Sequence, residues 1–245
     1  MASKTMDDAD QKIDLEEIRE FYDNVYYSGA SAAGASQIPR HYIRLFKRLK
    51  INRGANVLDV ACGTGEWLDA CAGEDCSISG VDLSGKAIAV CQERLPQGKF
   101  YAQPAETLPF DDDSFDVVTC LGSLEHFVDP VSSLKEMARV AKADARIVIL
   151  VPNKDFLTRK LGLFGGTYQV DAREVVRTLE EWDALFVAGG LSVAERWKDL
   201  HVLNLGWIKK GKIYAWPLRA LQGLLLVIWP LRWQYQVYHR CVVNP

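Results

Sequence analysis

Asp59, Gly63, Gly65, Asp82, Glu125 and His126 are the residues of this chain whose types and spacing invite chemistry. In the run Asn56-Val-Leu-Asp-Val-Ala-Cys-Gly-Thr-Gly-Glu-Trp-Leu68, the apolar stretch Val57 to Val60 reads as a buried strand. Gly63 and Gly65 then open a tight turn into the helical pattern after Glu66. Such a turn leaves backbone N–H groups uncovered, so a flat or polar ligand can lie directly on the main chain. Asp82 ends a second apolar run, where a carboxylate can accept both hydroxyls of a ribose diol. His126, just beyond a fourth such run, could take a proton from a hydroxyl nucleophile, with Glu125 to orient it. The plainer readings are an ordinary strand-to-helix turn and an imidazole that caps a helix or bonds a carbonyl.

Two features decide what ligand the loop suits. Leu68 stands where a dinucleotide fingerprint would carry its third glycine, and Asp59 precedes the loop. A carboxylate at that place opposes a diphosphate but favours a cation bearing an amino group and a sulfonium. S-adenosylmethionine is such a ligand.

The elements needed to hold these residues are legible in order. From Asp14, with Glu17 as its capping partner, Leu15, Ile18, Tyr22 and Val25 recur at helical spacing. After a small-residue loop, Ser28 to Ser36, Pro39 suits the start of a helix with Tyr42, Leu45, Phe46 and Leu49 on its apolar stripe. These helices, 14–50, are either packing on the domain or a cover whose Tyr22, Tyr26, Tyr27 or Arg40 reaches the ligand. Strands are expected at Val57–Val60, Ser77–Asp82, Lys99–Ala102, Ser114–Cys120 and Arg146–Val151, each alternating with a helix. Further on, Thr178 with Glu181 reads as a capping box for a helix ending at Gly189-Gly190, followed by a strand Leu191–Trp197. Gln234 to Val243 has the composition of a last, antiparallel strand. The fold class is therefore α/β: a doubly wound, Rossmann-like seven-stranded sheet, with ligands at the carboxyl ends of its strands. Residues 1–13 read as a disordered N-terminus, and 14–245 as a single domain.

Composition narrows the partners. With 29 basic and 32 acidic residues in 245, the chain has no general affinity for nucleic acid. Its six cysteines form no C-x-x-C pair and are expected to be reduced and partly buried. Met1 to Asp10 is polar and acidic, without the apolar core of a leader peptide, so a cytoplasmic chain is expected.

Taken together, Asp59-Val-Ala-Cys-Gly-Thr-Gly65, Gly80-Val-Asp-Leu-Ser84, Ala105-Glu-Thr-Leu-Pro-Phe110, Asp113-Ser-Phe-Asp-Val-Val118, Leu124-Glu-His-Phe127 and Val148 to Asn153 resemble the class I S-adenosylmethionine-dependent methyltransferases, in the group of ubiquinone and menaquinone methylases. The resemblance covers about residues 20 to 198. It implies that Asp59, Ala61, Gly63 and Gly65 frame the methionine part of the cofactor, that Asp82 and Leu83 hold ribose and adenine, that Ala105 and Glu106 meet the adenine edge, and that Leu121 lies near the transferred methyl. Pro104 departs from the family's Asp or Asn, so Glu106 or a backbone carbonyl has to meet the adenine amino group. The metal-associated pattern Glu-x-x-Glu-His has Gly122 in place of its first glutamate, and no metal is expected.

Residues 200–231 are an insertion before the last strand. Ile213 to Leu231 is strongly apolar, interrupted by Pro217, Gly223 and Pro230, and flanked by Lys209, Lys210, Lys212, Arg219 and Arg232 with several tryptophans. It is too short to cross a bilayer and suits a lid, a peripheral membrane contact or a homodimer contact through 207–231. The expected function is direct, in-line methyl transfer from S-adenosylmethionine to a small apolar, lipid-like or quinone-like acceptor. The alternatives are a cofactor-binding protein without catalysis and a methylase of protein or nucleic acid. Beside His126, His41 and His201 are weaker candidates for a base.

Overall fold

The computed structural model describes residues 15–27, 38–162, 174–200, 213 and 216–244. The N-terminus 1–13, the cap Asp14, the loop Ser28–Ser36, His201 and residues 207–212 of the insertion lie outside them. Seven strands form one sheet: β1 (Asn56–Val60), β2 (Ser77–Asp82), β3 (Lys99–Ala102), β4 (Phe115–Leu121), β5 (Ala141–Pro152), β6 (Leu191–Lys198) and β7 (Gln236–Val243). Their spatial order is β3-β2-β1-β4-β5-β7-β6. The first five pair in parallel, and β7 lies antiparallel between β5 and β6. The doubly wound sheet with an antiparallel last strand is thus as the sequence predicts.

Helices cover both faces, which is why the central strands read as near-continuous apolar runs. Val57 packs with α2 (Arg40–Leu49), α3 (Glu66–Ala72) and α4 (Gly85–Arg94) on one side. Leu58 and Val60 face α5 (Pro130–Val140) and α7 (Leu179–Ala188) on the other. The short α6 spans Leu157–Lys160. Side-chain caps start two of these helices. The Ser84 side chain accepts from Ala87 N–H, and Thr178 and Glu181 form a reciprocal capping box. β5 begins earlier than expected because α5 runs directly into it. Ala141 pairs with Phe115 before the register shifts to Val117–Arg146. All six cysteines are buried and unpaired.

The first helix differs from expectation in kind. α1 (Leu15–Phe21) widens into a π-helical turn over Tyr22–Tyr26, closed by Tyr27 N–H donating to the Tyr22 carbonyl at 2.8 Å. The wider turn gathers Tyr22, Tyr26 and Tyr27 into one aromatic set, with Tyr26 and Tyr27 edge-to-face at 4.9 Å. Asp23 on the same turn accepts from Ser84 Oγ and from Lys86 N–H (3.2 Å), which ties it to the positive end of α4.

The insertion carries α8 (Trp216–Ile228). Its last carbonyls would be orphaned, but Gln234 Nε2 donates to Leu226 O (2.8 Å) and Trp229 O (2.9 Å), and Lys198 Nζ donates to Val227 O (2.6 Å). Asn153, wholly buried at the end of β5, donates to the carbonyls of Arg232 (2.9 Å) and Gln234 (3.2 Å) and accepts from Asp155 N–H (3.0 Å). Asn153→Ala strands the buried Gln234 carbonyl and the part-buried Arg232 carbonyl and should cost about 1–3 kcal/mol of stability. Urea denaturation reads this directly, and a change under about 0.5 kcal/mol would show that water replaces the amide.

Candidate active site

At the carboxyl edge of the sheet lies a pocket with about 780 Å³ of empty space, its open mouth included. Its floor comes from the ends of β1 and β2 through Ala61, Val81, Asp82 and Leu83. One wall is Gln103, Pro104, Ala105 and Glu106, another Gly122, Ser123, His126, Phe127 and Val128, and the roof is Leu15, Ile18, Tyr22, Tyr26 and Tyr27.

Asp82 is the chemical centre of this pocket. It is buried, and its Oδ2 accepts from Gly63 N–H and its Oδ1 from Ser84 N–H, each at 2.9 Å. Burial raises its pKa to about 6, against the pull of those two N–H groups. The carboxylate therefore fixes the glycine loop as well as facing the ligand space. Ala61, with φ 61°, turns the chain out of β1 in the left-handed region. Glu106 lines the wall, held by Asp129 N–H donating to its Oε1 at 3.2 Å.

Of the expected site residues, Tyr22, Ala61, Asp82, Leu83, Ala105, Glu106 and His126 converge on the pocket. Arg40, Asp59, Gly63, Gly65, Leu121 and Glu125 do not line it. Arg40 is exposed at the start of α2. Leu121 packs into the core on the other side of β4, and the next residues, Gly122 and Ser123, take the wall. Asp59 lies 4% exposed within β1, where its Oδ1 accepts from Thr119 Oγ1 at 2.6 Å; burial pushes its pKa up to about 8, and the Asp82 and Glu66 charges add to the rise. Gly65, at φ 82°, serves packing: a Cβ there would stand 3.0 Å from Cys91 Sγ and 3.2 Å from a Leu95 methyl. Gly63 is faced by the roof, since the Tyr27 hydroxyl lies 3.0 Å from where its Cβ would be. Burial, with the Asp82 charge second, holds the Tyr27 phenol far above the usual range, so it stays a neutral donor.

Glu125 and His126 leave the short turn Leu124–His126 in different directions. The imidazole lines the pocket, while the Glu125 carboxyl is buried with Oε2 lacking a hydrogen-bond partner. Burial raises the Glu125 pKa to about 8, and the nearby Glu174 charge adds to the rise. Sequence reasoning missed Gln103, Gly122, Ser123, Phe127 and Val128; only their position just after β3 and β4 could have marked them. Among the described residues, no three His, Cys, Asp or Glu side chains converge as metal ligands.

The family comparison agrees with this layout. Residues 58–149 match the model of a methyltransferase domain. A ubiquinone/menaquinone biosynthesis C-methyltransferase of Geotalea uraniireducens is 36% identical over 165 residues, 62% of this chain and 68% of the relative. The chain belongs to the S-adenosylmethionine-dependent methyltransferases of the ubiquinone/menaquinone type. A demethylmenaquinone methyltransferase of Shouchella clausii is 38% identical over 112 residues, 42% of this chain and 48% of that one. The magnesium protoporphyrin IX methyltransferase of Synechocystis has the same fold, with a TM-score of 0.63 at 17% identity over 94% of this chain and 100% of that one. The methyltransferase's cofactor is S-adenosylmethionine, and the pocket suits it: a buried carboxylate ends β2, and Phe127 and Val128 add apolar surface to one wall.

A ribose diol donating to Asp82, together with the cofactor's positive charge near the carboxylates, would favour the ionised form on binding. Cofactor affinity should therefore rise with pH from about 5 to about 8, with proton release on binding. In the free protein the sign is reversed. A folded pKa above the unfolded one keeps protons on the folded chain, so stability falls as the pH rises from about 4 to about 8. Titration calorimetry in buffers of different ionisation enthalpy measures both affinity and proton release; a flat or falling affinity would contradict the assignment.

Proposed function

We propose that this methyltransferase acts on a small apolar, quinone-like acceptor, reached at the His126 side of the pocket. The observation that carries this reading is the sequence of wall residues after β4. Gly122, Ser123, Phe127 and Val128 offer a small, largely apolar surface beside His126. The quinone C-methyltransferases among the relatives support it. The family match lends nothing to a non-catalytic binder or a methylase of macromolecules.

Asp82 and Leu83 would hold ribose and adenine, Ala105 and Glu106 the adenine edge, and Ala61 the turn below the sulfonium. Tyr22 and Tyr27 would close over the ligand, with Tyr27 moving off Gly63 to admit its amino-acid end. S-adenosylmethionine, when bound, supplies an electrophilic methyl group for direct in-line transfer. His126 would take the proton released by the acceptor, and the roof of tyrosines would exclude water. Glu125, behind His126 and facing inward, would act on the turn's position rather than on the ring. Among the described residues no helix is long and apolar enough to cross a membrane. An apolar acceptor would then be met by a peripheral contact through 207–231, or through a second copy bound there.

Transfer of a labelled methyl group to a panel of quinols, catechols and small amines tests the acceptor class; label on amines alone would overturn it. His126→Ala should lower kcat by about 10²-fold or more with cofactor affinity unchanged. An unaltered kcat would remove the base from the account.

A further inference from the structure

α8 presents an apolar row to solvent. Leu218 (70% exposed), Leu221, Leu224 and Ile228 follow one another at three- and four-residue spacing, and Val227 flanks them. Isolated exposed leucines carry no message, but a row along one helical face does. The opposite face is fastened to the domain by buried Gly223 and Leu226 and by the bonds from Gln234 and Lys198 to the last carbonyls. The row therefore faces outward from a secured helix.

The charge of this part of the chain has one sign. From Leu200 to Pro245 the sequence has no aspartate or glutamate, whereas Lys209, Lys210, Lys212, Arg219 and Arg232 fall within it; Arg240, on β7, is paired with Glu195. The chain as a whole carries more acid than base, so this asymmetry is local. Trp216, Trp229 and Trp233 are each partly exposed at or just past the helix ends. Leucines on one face, an arginine on the helix and another just past it, and tryptophans at the margins are the composition of a helix lying in a bilayer interface.

We infer that α8, with Arg219 on it and Arg232 just past it, is a docking face for an anionic lipid bilayer. A second copy of the chain would cover the leucines but would bring like charge against like charge. With 13 residues α8 lies on a membrane and does not cross it. The face also has a use. β7 begins beside the end of β5, where Gln236 pairs with Pro152, and a Cβ on Gly122 would lie 3.9 Å from Gln236 Nε2. The chain leaving α8 thus reaches the wall of the pocket, and docking sets that edge of the sheet against the lipid. This use rests on the proposed apolar acceptor; the docking itself does not.

Flotation of the full chain with vesicles tests the inference. Binding is expected to phosphatidylcholine vesicles containing phosphatidylglycerol, much less to phosphatidylcholine alone, and to weaken with added salt. Leu221→Asp combined with Leu224→Asp should lower vesicle binding by about ten-fold or more while S-adenosylmethionine affinity stays at the wild-type value, which certifies the fold. Three results would overturn docking: no binding to the anionic vesicles, binding unchanged in the double variant, or a lipid-free dimer that the double variant splits. Methylation of a short-chain, water-soluble quinol separates the two claims. Turnover of that quinol without vesicle binding sinks docking and keeps the acceptor; vesicle binding without turnover of any quinol does the reverse.

Discussion

The two hydrogen bonds that Gly63 and Ser84 donate to the buried Asp82 carboxylate are what the rest of the site depends on. They tie the loop after β1 to the end of β2 and to the first turn of α4. Ser84 then continues the chain of contacts, accepting from Ala87 N–H and donating to Asp23 on the roof. Floor, side helix and cover thus meet at one ionisable group. Charge-assisted bonds of this kind are short and directional, which suits a group that must hold a loop still while meeting a ligand.

That arrangement has an energetic cost in the free protein. Asp59, Asp82 and Glu125 are all buried with raised pKa values, and Glu125 Oε2 has no partner. Such groups persist at functional sites because a bound cation or hydrogen-bond donor compensates them. The tyrosine roof has a related character. Tyr27 lies against Gly63 and so keeps the loop covered, and in the proposed binding mode the cofactor's amino-acid end would enter only as the turn that Asp23 latches moves.

Much of this was legible in the sequence, and the failures have physical causes. Strand periods, the Thr178–Glu181 box and the antiparallel last strand are local patterns, and local patterns survive folding. Asp82 could be placed because the end of a parallel strand faces the ligand crevice. The direction of Asp59 was not legible, because alternation along a strand does not say whether a polar residue points into the crevice or toward a hydroxyl on the neighbouring strand, here Thr119. The π turn was unreadable, since its tyrosines keep helical spacing on paper. Gln103 and Ser123 reach the pocket only through the geometry of their loops.

The central claim is that the ionised Asp82 carboxylate holds both the glycine loop and the cofactor. Calorimetric titration of S-adenosylmethionine into Asp82→Asn at pH 8 tests it most directly, because the substitution keeps size and one acceptor oxygen but removes the charge. The account predicts affinity weaker by about ten-fold or more, equivalent to about 1.4 kcal/mol, in a protein that still melts cooperatively. Wild-type affinity in that variant would contradict it.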